Sequence, residues 1–174
     1  ALGQAQSRIQ AIAAGQRRLR LDIETDEIDA RPYIEDLLAE IGKAAEGRPI
    51  RIDLDMESIR LPGRDAVSFV VIVNELVTNA IKHAFPDGMA GQIIIRFAPV
   101  EFEGEPALAL SIEDDGVGMP REIASKGLGQ TVIASLLRSM RATMNSEPLH
   151  PDQAERPGTR VTIVFPKRET LSAQ

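Results

Sequence analysis

Asn74-Glu75-Leu76-Val77-Thr78-Asn79-Ala80-Ile81-Lys82-His83 is the stretch on which the reading of this chain turns. Glu75, Asn79 and His83 follow one another at i, i+4 steps. Thr78 and Lys82 lie on the adjoining row, so five polar groups share one helical face. Phe69, Val70, Ile72, Val73, Leu76, Val77, Ala80 and Ile81 make the rest of the helix apolar, which predicts a mostly buried element over Ala66 to Ala84. A carboxylate and a carboxamide on the one polar stripe of such a helix need partners. Alone, the stretch reads first as a simple amphipathic helix whose charged face meets water.

The sequence around it narrows the choice. Asp114-Asp115-Gly116-Val117-Gly118-Met119-Pro120 closes an apolar run, Gly127-Leu128-Gly129 opens a second apolar helix, and Gly158-Thr159 precedes the alternating Val161-Thr162-Ile163-Val164-Phe165. A single Gly-x-Gly marks many ordinary turns, whereas four elements in a fixed order around a buried polar helix are specific.

The 174 residues predict one domain with a helical appendage, and 43% hydrophobic residues suffice for a core. Aromatics are only 3%, so packing must rest on Leu, Ile, Val and Ala. With no cysteine there are no disulfides and no thiolate metal sites, which fits a reducing cytoplasm. A net charge of −6 argues against general nucleic-acid binding. No apolar run approaches a membrane span and no signal peptide is visible, so no membrane contact is expected of this stretch. The first residue is Ala1, which suggests a piece of a longer chain.

Ile9, Ile12, Ala13, Gln16 and Leu19 are spaced as on a helix over Leu2 to Leu21. Pro32 suits the first turn of a second helix, with Tyr33, Ile34, Leu37, Leu38 and Ile41 on its apolar face and an end near Gly47. Ile50 to Met56 alternates cleanly and reads as a strand. Gln92–Phe97 and Ala107–Asp114 are two more strands, Gly127–Met140 a helix, Thr143–Ser146 a short strand and Arg160–Phe165 the last one. Pro148–Pro157 is a surface loop. The predicted order, two helices and then β-α-β-β-α-β-β, suits an α/β two-layer sandwich: a mixed sheet covered on one face by helices.

Over roughly residues 50 to 166, these elements resemble the N box, the two glycine boxes and the closing Gly-Thr of the ATPase superfamily of gyrase, heat-shock chaperones, mismatch-repair proteins and histidine kinases. The resemblance implies the two-layer Bergerat-type ATPase fold, with nucleotide between helices and sheet. It implies that Asp114 accepts from the adenine amino group, often joined by Thr159, and leaves Asp115 in a variable, solvated position. Gly116 and Gly118 let backbone approach the ligand without a Cβ. Met119 either lines the base pocket or fills core. Gly127, Leu128 and Gly129 at a helix start present backbone N–H groups to phosphates, and Lys126 either reaches a phosphate oxygen or is solvated. Asn79 is the implied Mg²⁺ ligand, Glu75 the implied base or water-orienting group, and Lys82 and His83 stabilise phosphate charge. His83 and His150 have no metal-site spacing, and no Gly-x-x-x-x-Gly-Lys-Ser/Thr occurs, so this is not a P-loop protein.

Within the superfamily, Asn74 to Gly88 looks most like sensor histidine kinases, especially the HWE-related branch with a short lid. Arg8 to Ala13 is similar to the second helix of that branch's dimerisation and phosphoacceptor region. Residues 1–46 are therefore expected to be part of that region, with a homodimer through its two amphipathic stretches, and residues 47–174 the catalytic ATP-binding domain. Two departures stand out. Gln16 occupies a position where the branch often has histidine, and no histidine precedes His83 to serve as phosphoacceptor. The resemblance thus implies a cytoplasmic kinase using ATP and Mg²⁺. It would phosphorylate a histidine on an acceptor helix outside this chain, for relay to a response regulator. The alternatives are an anti-sigma-factor serine kinase and a non-catalytic, nucleotide-gated scaffold.

Overall fold

Alternation in residues 50–56 is realised as strand β2 (Ile50–Met56), whose partners lie far along the chain. The computed structural model describes residues 27–118 and 128–166. The helix expected over Leu2–Leu21, together with Met119, Lys126, Gly127 and the tail from Lys167, lies outside them. The other elements are β1 (Ile28–Asp29), α1 (Arg31–Ala44), β3 (Arg60–Leu61), α2 (Gly63–His83), β4 (Gly91–Phe102), β5 (Glu105–Asp114), α3 (Leu128–Met140), β6 (Thr143–Glu147) and β7 (Thr159–Pro166).

Five strands form one sheet in the order β2-β4-β5-β7-β6. β2 runs parallel to β4 and every other pair is antiparallel, giving the expected mixed sheet. Ile93, Ile95 and Phe97 of β4, Leu110 and Ile112 of β5, and Val161, Ile163 and Phe165 of β7 are buried on one face. They share a core with Ile34 and Leu37 of α1, Phe69, Ile72, Val73 and Val77 of α2, and Ile133, Leu137 and Met140 of α3. The few aromatics are concentrated there. Phe69 stacks at 4.5 Å on Phe97, and both meet Phe165 at 5.9 and 6.2 Å.

The opposite face is polar because strand side chains alternate. Asp55, Arg96, Glu113, Arg160 and Glu147, one from each strand, form a ladder of alternating charge across all five. Arg96 and Arg160 both bond to Glu113, the latter at 2.8 Å, and reach Asp55 at 3.4 Å and Glu147 at 3.7 Å.

Three features depart from the sequence expectation. α2 begins at Gly63 rather than Ala66 and ends at His83. β4 and β5 extend past their expected limits to a two-residue turn at Glu103-Gly104, both with positive φ, as a type I′ hairpin requires. The extension carries Pro99 and Pro106, tolerated because β2 pairing ends at Phe97 and β7 pairing at Ala107. β1 and β3 form an unforeseen two-stranded sheet. α1 packs on α2 and β2 with Ile34 fully buried in the common core. No helix among the described residues is long and apolar enough to cross a membrane.

Candidate functional site

The C-terminal end of α2 and the turn after β5 meet through their backbones. Val117 N donates to Ala84 O at 2.9 Å. Gly116 lies so close that a Cβ there would sit 2.2 Å from Ala84 O. The helix end is itself capped from the far side. Arg48 donates to Ile81 O at 2.6 Å and to Phe85 O at 2.7 Å, which satisfies terminal carbonyls with a cation where the helix dipole favours one.

Asp114 is the last residue of β5 and is 6% exposed. Its Oδ1 accepts from Gly116 N at 3.1 Å, and Thr159, its cross-strand partner at the start of β7, bonds it through hydroxyl and backbone N–H. Burial pushes this carboxyl above its ordinary range, against the lowering effect of those three bonds, and the neighbouring Asp115 charge pushes the same way. A carboxylate offers about four acceptor positions, so one remains for a further donor. Gly158 brings the β7 strand to this point: at φ +59°, with any Cβ 2.3 Å from Asp114 O, only glycine fits.

The polar stripe of α2 runs from interior to surface. Glu75 is buried at 6% exposure and has a partner within the fold, and its neighbour Asn74 is also buried. Thr78, Asn79 and Lys82 are half-buried, and His83 is exposed. Asn79 lies five residues before Ala84, about 7.5 Å along the axis. Asp114, Gly116, Gly118 and Thr159 therefore gather around the strand ends, while Lys82 and His83 occupy the helix end that this turn abuts. Leu128 and Gly129 are the first residues of α3, which packs on α2. His150 is exposed in the Leu149–Gly158 loop, on an element separate from His83. A groove of about 450 Å³ between α1 and β2, lined by residues such as Leu38, Arg48, Ile50 and Ile52, includes none of these site residues.

One expectation is corrected. Asp115 is not simply solvated: its Oδ1 accepts from Gln92 N at 2.7 Å, and its Oδ2 pairs with Arg156 at 3.1 Å. Arg156 also donates to Asp115 O at 2.9 Å and Ala90 O at 3.2 Å. Nothing local in the sequence marks these contacts, because Gln92, Asp115 and Arg156 are brought together only by the sheet.

Known proteins share this chain's family and fold. Residues 64–169 match the family of histidine kinase-, DNA gyrase B- and HSP90-like ATPases. Among relatives, the chain is 28% identical over 99 residues to blue-light-activated histidine kinase 2 of Erythrobacter litoralis, covering 55% of this chain and 28% of that protein. It is 24% identical over 151 residues to the nitrate/nitrite sensor protein NarX of Escherichia coli, covering 86% of this chain and 23% of that protein. The chain thus spans less than a third of the length of these relatives. In fold it resembles the histidine kinase domain of the Erythrobacter litoralis EL346 blue-light kinase, with a TM-score of 0.74 at 22% identity over 91% of this chain and 74% of that one. It also resembles the mycobacterial sensor histidine kinase MprB, with a TM-score of 0.66 at 20% identity over 82% of this chain and 97% of that one. The match over residues 64–169, more than half of the chain, establishes that this chain belongs to the histidine kinase-, DNA gyrase B- and HSP90-like ATPase family.

Proposed function

We propose that the chain binds Mg-ATP and directs its γ-phosphoryl group to a histidine on an acceptor helix of the same or a partner protein. A response regulator then receives the phosphoryl group. The observation that carries this reading is the buried Asp114 carboxylate, which keeps an acceptor position beside the glycine turn. An adenine amino group is a donor of the right kind, and a charged hydrogen bond of this type is worth about 1.5–3 kcal/mol. Thr159 orients the carboxylate, and Gly116 and Gly118 admit the ligand to backbone distance.

The α2 stripe then faces the phosphates. Asn79 supplies a single carbonyl oxygen, which suits Mg²⁺, a cation that takes most of its ligands from water and phosphate. The cation, when bound, neutralises phosphate charge. Lys82 and His83 add positive charge or hydrogen bonds at the helix end. Leu128 and Gly129 offer free backbone N–H groups at the start of α3. Glu75, buried two turns before His83, would orient the acceptor imidazole or accept the proton it sheds. In transfer, the bond from the γ-phosphorus to the bridging oxygen breaks, ADP departs and a phosphorus–nitrogen bond forms. Catalysis is then mainly positioning and charge neutralisation. The same reading puts the domain in the cytoplasm, and dimerisation, expected of residues 2–46, would fall to the part before α1, because the apolar face of α1 is buried in the catalytic core.

The test is transfer in trans. The chain is incubated with γ-labelled Mg-ATP and a histidine-bearing acceptor helix. Acid-labile label on the added histidine is expected. Acid-stable label on serine, or ATP binding with no transfer to any helix tried, contradicts the proposal.

A further inference from the structure

Residues 156–158 run along the whole glycine turn and touch it three times in succession. Arg156 bonds Asp115 through both its main-chain carbonyl, at 2.9 Å, and its carboxylate, at 3.1 Å. Pro157 lies against Gly118, its Cγ 2.8 Å from where a Cβ would stand. Gly158 N donates to Gly116 O at 3.0 Å. Of these, only the Arg156 contact is made by a side chain with reach beyond the turn. Its guanidinium also takes Ala90 O at 3.2 Å, just before β4, where Gln92 exchanges two backbone-directed bonds with Asp115. The fork therefore bridges the start of β4, the residue after Asp114 and the segment leading into Thr159.

We propose that Arg156 is a positioning residue for nucleotide binding, fixing the Asp114 carboxylate for the base by clamping Asp115 to the edge of β4. The proposal rests on the reading of Asp114 as the acceptor of the adenine amino group. Two effects follow from the geometry. The clamp fixes the main chain one residue from Asp114, so the carboxylate meets the base without first being ordered. It also compensates the negative charge of Asp115, which otherwise favours the protonated form of its neighbour. Lysine cannot replace it in full, because Nε serves the Asp115 carbonyl while Nη2 serves both the Asp115 carboxylate and Ala90 O, a spread that a single ammonium does not span.

A general stabilising role and a positioning role differ in which nucleotide is affected. The chain and its Arg156→Gln variant are titrated with Mg-ATP and with purine riboside triphosphate, which has no 6-amino group. The wild-type chain is expected to favour ATP. Arg156→Gln is expected to raise Kd for ATP about three- to tenfold and to leave Kd for the analogue within about twofold, so the preference narrows. Arg156→Lys should fall between the two and serves the same comparison if the glutamine variant does not fold. Equal weakening of both nucleotides, or none, overturns the positioning role while leaving the Asp114 reading intact. A wild-type chain with no preference for ATP over the analogue overturns both.

Discussion

Replacing Gly116 with alanine tests the junction between the glycine turn and α2. The added Cβ would stand 2.2 Å from Ala84 O and 2.6 Å from Ala84 Cβ. Ordinary contact lies at about 3.5–4.0 Å, so helix end and turn must part by an ångström or more. That separation takes the 2.9 Å bond from Val117 N to Ala84 O out of hydrogen-bonding range. Overpacking costs about 1–3 kcal/mol and the lost bond about 0.5–1.5 kcal/mol, together about 2–4 kcal/mol. A domain of ordinary stability stays folded after such a loss. In urea the midpoint should fall by about 1–2 M with an unchanged slope. ATP affinity should fall as well, since Asp114 is two residues from the displaced backbone and takes a bond from Gly116 N. A midpoint unchanged within about 0.2 M, with unaltered ATP titration, would refute the idea that close approach at this glycine builds the site.

Two further outcomes follow from the same geometry. Asp114 holds its proton more tightly in the folded state than in the unfolded chain, mainly through burial, so the folded state binds more protons between the two pKa values. Its contribution is favourable below the unfolded value and is lost as pH rises through the folded one. Urea titrations of nucleotide-free protein should therefore show Asp114→Asn gaining stability relative to wild type as pH rises above about 4, and a gap constant with pH would count against the burial argument. Arg48→Ala should lower stability by about 1–3 kcal/mol by uncapping α2 at Ile81 O and Phe85 O, with Arg48→Lys restoring only part; a midpoint equal to wild type would show the cap to be idle.

Legibility in the sequence followed the range of the interactions. α2 and β2 were readable because their burial faces repeat with helical and strand periods, and the mixed sheet with helices on one side followed from element order. The glycine turn stood out because Asp114, Gly116 and Gly118 are close in sequence. Strand ends were misjudged where Pro99 and Pro106 interrupt the pattern, since only the sheet reveals that both lie beyond the third strand's pairing. The β1–β3 pair is two residues long, too short for any periodicity. Arg48 and Arg156 carry no signal in the sequence and Asp115 reads as solvated, because their partners lie 33 to 66 residues away, apart from the Asp115 contact to Gln92 at 23. Each is a charged residue in a loop, indistinguishable by type from a solvated one until the strands bring its partner close.

Recognition of the purine base falls to one interior carboxylate, Asp114. Titrating Mg-ATP into Asp114→Asn, after circular dichroism and melting show it folded like the parent chain, measures that directly. Affinity should drop at least about tenfold, to below detection if the parent binds weakly. Binding at the parent's Kd by the folded variant would contradict it.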